Sequence, residues 1–532
     1  ELDPPSLTLR QGATEPIVAY TYYRDGDLDF EILGEPVQFA LSSPAVGSIS
    51  DQEDQGRRVA IFTANSDNEG TVTLTATLRT LEVTAEITVY EPVVTQVTVT
   101  PQDPTVLIGD EQVFTAVLLD QEGDVLVQPV TWSVDAASVA SIDPDTGVAQ
   151  ALGPGQVVVT ATANGVSGTS TMTVAEFGAS QVSAGWLHTC AISLAGFGYC
   201  WGRGNEGRLG YGSNSSSSLP VRVSGERVFS QIVAADQHSC GISQNLAYCW
   251  GRSNDGRLGR GATGSDENTP VAVADAHEFV QISGLNDHTC GVTIDDAIYC
   301  WGVGGDGRLG DNDSNNKNTP VLVADPTGRA GIKWVMVSAG GNHTCALSNS
   351  NEVFCWGNNG RGRLGDGTTD ARNIPTAVDV SGLGVTFDWV GVGEGFSCAK
   401  TPAGALYCWG DNENGRLGID STGDEARTPQ LVAGNHLFVK VAVGRSHACA
   451  TTAANTYCWG SSANGRLGGA AEDQRVPFLV PNAPAYMHLD AGGGHACGVR
   501  LDNRVECFGL NDNGQIGVNN QDPQPAPTVV WP

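Results

Sequence analysis

Residues 188–210 read HTCAISLAGFGYCWGRGNEGRLG, and the chain spells this sentence seven times. The first cysteines of the copies are Cys190, Cys240, Cys290, Cys345, Cys398, Cys449 and Cys497. The second are Cys200, Cys249, Cys300, Cys355, Cys408, Cys458 and Cys507, and together these are all 14 cysteines of the 532-residue chain. A period of about 50 residues, built from short apolar segments and Gly-rich turns, predicts a propeller or solenoid whose units bury their faces against one another.

The cysteines of a copy lie nine or ten positions apart and flank a short polar stretch, such as Asn351-Glu352 or Asp295-Asp296. That spacing predicts a β-hairpin with one cysteine on each arm. Facing residues of an antiparallel pair come close enough for a disulfide. Zinc ligands usually come as close C-x-x-C pairs, and heme attachment needs C-x-x-C-H, which is absent. Seven disulfides are therefore expected, each closing a short loop worth about 2–3 kcal/mol. Such bonds persist outside the cytosol, so the protein is expected to be extracellular or on a cell surface. No signal peptide is visible at Glu1-Leu2-Asp3-Pro4-Pro5, so an exported chain would be the processed form. No apolar run is long enough to span a bilayer, and membrane insertion is not expected.

Each unit carries more than the hairpin. A proline followed three residues later by valine occurs at Pro220, Pro270, Pro320, Pro375, Pro429, Pro477 and Pro527. An apolar strand ending in small residues follows, as in Gln231-Ile232-Val233-Ala234-Ala235. The region starts on such a strand, Gln181-Val182-Ser183-Ala184, and stops just after the seventh proline strand. The reading is that the C-terminal strand docks beside the first hairpin and closes seven blades into a ring, which removes exposed sheet edges.

The polar residues that recur in every copy are read as framework. His188, His238, His288, His343, His447 and His495 share one position, with Phe396 in the fifth copy. Ring symmetry spreads them apart, which favours hydrogen bonding over a metal site. Arg208, Arg257, Arg308, Arg363, Arg416 and Arg466 recur with Gln515; a guanidinium's five donors could tie loop carbonyls or, alternatively, bind an anion. The tryptophans are expected between blades. A functional patch is sought instead where the copies differ, in the loops between Leu-Gly and the proline strand. There the candidates are Tyr211, Asn214, Arg260, Asp266, Asp311, Asn312, Asp366, Asp370, Asp420, Asp424, Glu472 and Asp473, since loops on a rigid scaffold are where binding concentrates.

Residues 1–91 and 92–176 form two copies of a different unit. Ser48-Ile49 matches Ser141-Ile142, and Gly70–Thr77 matches Gly155–Thr162. Val72, Leu74, Ala76 and Leu78 fall on one strand face and Thr71, Thr73, Thr75 and Thr77 on the other, as in a half-buried antiparallel strand. Each unit suits a small β-sandwich of some seven strands. The acidic turn Asp25, Asp27, Asp29 raises the question of calcium, but the full calcium-loop pattern is missing. No cofactor is expected.

Two resemblances follow. The second unit resembles the bacterial immunoglobulin-like domain, group 2, through Thr131-Trp132-Ser133, Val139-Ala140-Ser141-Ile142-Asp143 and Gly155-Gln156-Val157. That family's members serve as spacers or adhesive modules. Residues 177–532 resemble the regulator of chromosome condensation repeat, through Gly-x-x-His before the hairpin and Trp-Gly-x-x-x-x-Gly-x-Leu-Gly after it; the seventh copy reads Phe508–Gly517. That resemblance implies a seven-bladed β-propeller. The cysteines, and arginine where glutamine is common, are departures from the intracellular members.

The fold class expected is thus all-β: an immunoglobulin-like sandwich at 1–91, a group 2 sandwich at 92–176 and a seven-bladed propeller at 177–532. The net charge is −31, with 25 acidic and 5 basic residues in 1–175 and 34 and 23 in the rest. That balance repels nucleic acid and anionic lipid. No nucleophile, acid–base pair or metal cluster rises above the repeat. The expected function is a secreted or cell-surface, non-enzymatic binding or adhesion protein whose propeller loops hold another protein or a surface glycan. Alternatives are a subunit of an extracellular filament or surface layer, pairing with copies of itself, and, more remotely, a secreted inhibitor. Guanine-nucleotide exchange, known for nuclear members, conflicts with disulfides and export.

Overall fold

The computed structural model describes the chain except residues 21, 26–27, 32–36, 56, 108–109, 176 and 531–532; of residues 22–25, 28–31 and 107 it describes the backbone alone. The Asp25, Asp27, Asp29 turn therefore lies outside the described side chains. All regular structure among the described residues is β, apart from three-residue 3-10 turns. Two compact units divide the chain, the sandwiches chiefly before Val174 and the ring from Val174 onward.

In the first sandwich one sheet orders Leu2–Asp3, Thr14–Ala19, Arg57–Ala64 and Gly47–Asp54. The other orders Ser6–Arg10, Leu81–Tyr90, Gly70–Leu78 and Gln38–Leu41. Val72, Leu74 and Ala76 are buried while the threonines between them are more open, so the period-two pattern sets the inner face. They join Ile17, Phe62 and Ile87 in one core. In the second sandwich Trp132 is buried beside Phe114 at 6.3 Å between ring centres. Gly147 permits this: its φ is +72°, and a Cβ there would stand 2.8 Å from the indole.

The ring is seven four-stranded antiparallel sheets, each from one continuous stretch of chain. In the first blade the order is Ala179–Ala184, His188–Ser193, Gly198–Gly202 and Ser217–Arg222. The two central strands pair in register so that each cysteine faces its partner, as in Cys190 opposite Cys200. All seven pairs are disulfide-bonded within their hairpins, with Cα atoms 4.0–4.1 Å apart, and no cysteine is free. That is the closely spaced, non-hydrogen-bonded kind of pair.

The expected mode of closure is corrected. The last strand, Gln524–Val529, pairs with the seventh hairpin through Glu506–Val529 and Cys507–Thr528, not with the first. Every proline strand likewise folds back onto its own hairpin, as in Tyr199–Arg222 and Cys200–Val221. The Leu-Gly turn and its loop return the chain antiparallel to the strand it has just left, so no strand is exchanged. The ring closes through side chains and turns instead. Asp490 accepts from the Ser183 hydroxyl at 3.0 Å and the Ala184 amide at 2.9 Å. The Gly493 amide donates to the Gly185 carbonyl at 3.0 Å. Beneath these bonds, residues of both blades share one core, with Val182, Trp201, Val499 and Val530.

Candidate binding face

Antiparallel strands put alternate connections at opposite ends. The turn from inner to second strand, which precedes the repeated histidine, therefore shares one end with the long loop before the proline strand. That end is the loop face. The other end carries the cysteine hairpin tips and the links to the next blade.

The framework of the loop face uses up its repeated polar groups. Each tryptophan is buried and its indole N–H donates to the carbonyl of the preceding blade's arginine: Trp250 to Arg208 at 2.9 Å, Trp356 to Arg308 at 3.0 Å, Trp459 to Arg416 at 3.1 Å. Trp201 makes the same bond to Gln515 across the first and seventh blades, at 2.9 Å. The glycine ending Leu-Gly lies against the next tryptophan; at Gly210, with φ +73°, a Cβ would stand 2.6 Å from Trp250 Nε1. Each of these arginines donates Nε to a carbonyl three residues back. Nη1 of Arg208, Arg308, Arg363 and Arg466 reaches a carbonyl of the next blade's first turn: Asp236, Gly341, Glu394 and Gly493. The arginine ring is thus inter-blade scaffolding.

The histidines complete the same seams. His188 Nε2 lies 2.8 Å from Ser239 Oγ, and His238 pairs with Thr289, His288 with Thr344, His343 with Ser397 and His495 with Thr189 at 2.7–2.9 Å. The hydroxyls of Thr189, Ser239, Thr344 and Ser397 donate onward to the Arg or Gln carbonyl. They must therefore accept from the histidine, which fixes a neutral ring protonated at Nε2. Burial first, and the nearby arginines second, hold these imidazoles well below their usual range, to about 3 at His238. Among the described residues no group of three or more acidic, His or Cys side chains is placed to hold a metal ion. In the fifth blade Phe396 faces Ala448, so both partners of the pair are missing together. In the sixth, His447 faces Ala496 and its two ring nitrogens have no partner.

The twelve loop candidates divide by what they hold. Tyr211 bonds the Ser215 carbonyl, Asp266 accepts the Ser253 amide, and Asp473 accepts from Ser462. Arg260 pairs with Glu267, Asp311 with Lys317 and Asp366 with Arg372. These six pin the loops. Asn214, Asn312, Asp370, Asp420, Asp424 and Glu472 are exposed and their side chains bond to nothing among the described residues. Two grooves run between blades on this face. One, of about 670 Å³, is lined by Asn254, Asp255, Thr263, Asn316 and Asn318. The other, of about 830 Å³, brings Asp424, Glu472 and Asp473 together with Asn412, Glu413 and Arg475.

One cluster was not anticipated. At the mouth of the ring Arg445 pairs with Glu394 and stacks on Trp186, 4.2 Å from its ring centre, linking turns of the sixth, fifth and first blades. Trp186 rests on Gly493, where a Cβ would meet the ring at 2.2 Å. The signal was available: the residue two before the histidine, or before Phe396 in the fifth copy, is Trp186, Glu394 and Arg445 in these three copies.

A closed ring of seven four-stranded repeat blades defines a β-propeller. The chain belongs to the regulator of chromosome condensation (RCC1) repeat family. The RCC1 repeat model matches residues 196–242, 244–292, 295–347, 350–399 and 403–451, and a second RCC1 model matches 334–363 and 488–515. The bacterial Ig-like domain (group 2) model matches residues 93–174. The ultraviolet-B receptor UVR8 of Arabidopsis thaliana is 30% identical over 360 residues, 66% of this chain and 81% of that one. The mouse E3 ubiquitin-protein ligase HERC2 is 33% identical over 276 residues, 51% of this chain but 5% of the ligase. Among solved structures, yeast RCC1 superposes with a TM-score of 0.56 at 19% identity, covering 67% of this chain and 85% of that one. Human WBSCR16 gives 0.54 at 19% identity, covering 60% and 85%. The two structures speak for the fold alone.

Proposed function

We propose that this chain is an exported, non-enzymatic binding protein that holds a protein partner on the loop face of its propeller. The observation that carries the reading is the division of labour on that face. The repeated Arg, His and Trp side chains are consumed in the seams, while Asn214, Asn312, Asp370, Asp420, Asp424 and Glu472 are exposed and unbonded among the described residues, Asp424 and Glu472 lining one of two inter-blade grooves. Rigid scaffolds offering unpaired polar groups on loops are built for recognition. The seven disulfides favour an oxidising compartment.

The test is chemical cross-linking and affinity capture with the full oxidised chain on the cells that make it. Asp424→Lys with Glu472→Lys should lose the captured protein, and Leu194→Lys with Leu501→Lys, on hairpin tips at the opposite end, should keep it. Capture unaffected by the loop pair but lost with the hairpin pair would place the function on the other end. Retrieval from a cytosolic fraction with free thiols would remove the export reading.

A further inference from the structure

The seven inner strands leave a cavity of about 230 Å³ along the ring axis. Side chains alternate along a strand, so the first and third residues of each inner strand turn toward the axis. In the first three blades the first position is Gln181, Gln231 or Gln281. Each amide is spent on its neighbour: Gln181 both donates to and accepts from Ile232 at 3.1 Å, and Gln231 and Gln281 do the same to Ile282 and Val337. At the third position Ser183, Ser283 and Ser338 each accept an amide of the next blade. This half of the wall is polar and satisfied.

The other half is different. Trp389 replaces the glutamine, and its ring lies over Gly391, where a Cβ would stand 2.3 Å from Cη2. The seventh blade brings His488 and Asp490 to the same cavity. Asp490 is the only charged residue among those lining it; Lys440, at the first position of the sixth inner strand, is exposed and close enough to His488 to lower its pKa. The Asp490 carboxylate is held by Ser183, Ala184 and Ala491, all neutral donors. His488 Nδ1 is sealed from solvent and has no partner. Asp490 is partly exposed; a carboxylate held only by neutral donors in a confined cavity is favoured by a nearby positive charge, and an indole face is a favourable neighbour for a cation. The volume is below the roughly 300–1,000 Å³ of pockets for larger ligands, so an occupant is small.

The geometry points to a ligand site in this cavity for a compact organic monocation, an alkylammonium or guanidinium group set against the Trp389 ring and neutralising Asp490. The site is independent of the loop-face reading. Burial lifts the Asp490 carboxyl to about 6, against the hydrogen bonds that lower it. A bound cation favours the ionised form, so uptake releases a proton and affinity falls as pH drops below about 6. The other titratable groups nearby are His488, held down at about 4 by burial and then by Lys440, and Lys440 itself, exposed on the sixth inner strand. At about 4, His488 stays largely neutral over that range.

Calorimetric titration of the full oxidised chain with tetramethylammonium chloride tests this, with sodium chloride as the blank and glycerol as a neutral probe. Saturable one-site binding is expected at pH 7.5, weakened about tenfold at pH 5, where about a tenth of the carboxyl remains ionised. Trp389→Leu should weaken it at least about fivefold, and Gly391→Ala, which drives the indole into the cavity, should abolish it. Asp490→Asn should abolish it too; because Asp490 also serves the closing seam, the Trp389 and Gly391 variants carry the test if that protein does not fold. Absence of saturable heat, equal binding of glycerol, pH-independent affinity, or undiminished binding by Trp389→Leu would each overturn the assignment.

Discussion

The seam between the sixth and seventh blades keeps its histidine but lacks the hydroxyl that partners it elsewhere, and the relay can be completed with a single oxygen. His447 is fully buried with neither ring nitrogen partnered. Opposite it stands Ala496, also fully buried, where other seams carry Thr189, Ser239, Thr289, Thr344 or Ser397. Phe508 stands in the tryptophan's place, so the Arg466 carbonyl receives no indole N–H either. In the first seam Ser239 Oγ lies 2.8 Å from His188 Nε2 and 2.9 Å from the Arg208 carbonyl. Ala496→Ser should recreate both bonds. Relieving one buried unsatisfied donor is worth about 1–3 kcal/mol; desolvating the hydroxyl and fitting it into a packed seam leave a net gain of about 1–2 kcal/mol. The assay is denaturant unfolding of the oxidised protein, followed by tryptophan fluorescence, in a cycle with His447→Phe. The serine should raise the midpoint in the parent and fail to do so in the His447→Phe background, with a coupling of at least about 1 kcal/mol. An equal gain in both backgrounds, or no gain in the parent, would refute the relay as the source of seam stability.

Acidification should weaken the ring. His238 and His495 are held at about 3 when folded, against about 6.5 unfolded, so between those values the unfolded chain takes up the protons. Stability contributed by each is present above 6.5 and falls by about 2 kcal/mol at pH 5. Asp490 and Asp236 work in the opposite sense, their raised carboxyls favouring the fold as pH falls, but they are two groups against seven histidines. A urea midpoint unchanged or higher at pH 5 than at 7.5 would contradict the balance. Gly492→Ala places a Cβ 2.0 Å from the Gly185 carbonyl at the closing seam, and should cost more than about 2 kcal/mol, read as a lowered thermal midpoint. Thiol titration of the denatured, unreduced protein should find no free cysteine, and reduction should lower stability by about 2–3 kcal/mol per bridge; reactive thiols before reduction would argue against the pairing.

Much of this fold is legible in residue spacing because each unit must repeat the same contacts. The cysteines announce their hairpins, and Trp201 through Trp459 announce the seams, since a large ring at a fixed register can be buried only against the next copy. Closure was not legible. The proline strand lies a short loop from the hairpin before it and a similar distance from the inner strand after it, so the sequence permits either pairing. What decides is the Leu-Gly turn, whose positive φ at Gly210 sends the chain back along its own hairpin. The loop candidates were found as a region, but which of them face solvent depends on local bonds. Asp366 is captured by Arg372 and Thr368, while Asp370, four residues on, is free of side-chain partners. Trp186, Glu394 and Arg445 escaped because differences between copies were sought only in the loops before the proline strand, and they lie in the turn after the inner strand.

Because each blade is spun from one uninterrupted length of chain, a blade can complete its backbone pairing and lock its own disulfide before the next one exists. Gaining or losing a unit then requires only that two flat faces meet, never that a strand be withdrawn from a foreign sheet. The architecture is open to growth by whole-unit duplication, and its integrity as a hoop rests on the fit of the first and last faces to emerge from synthesis.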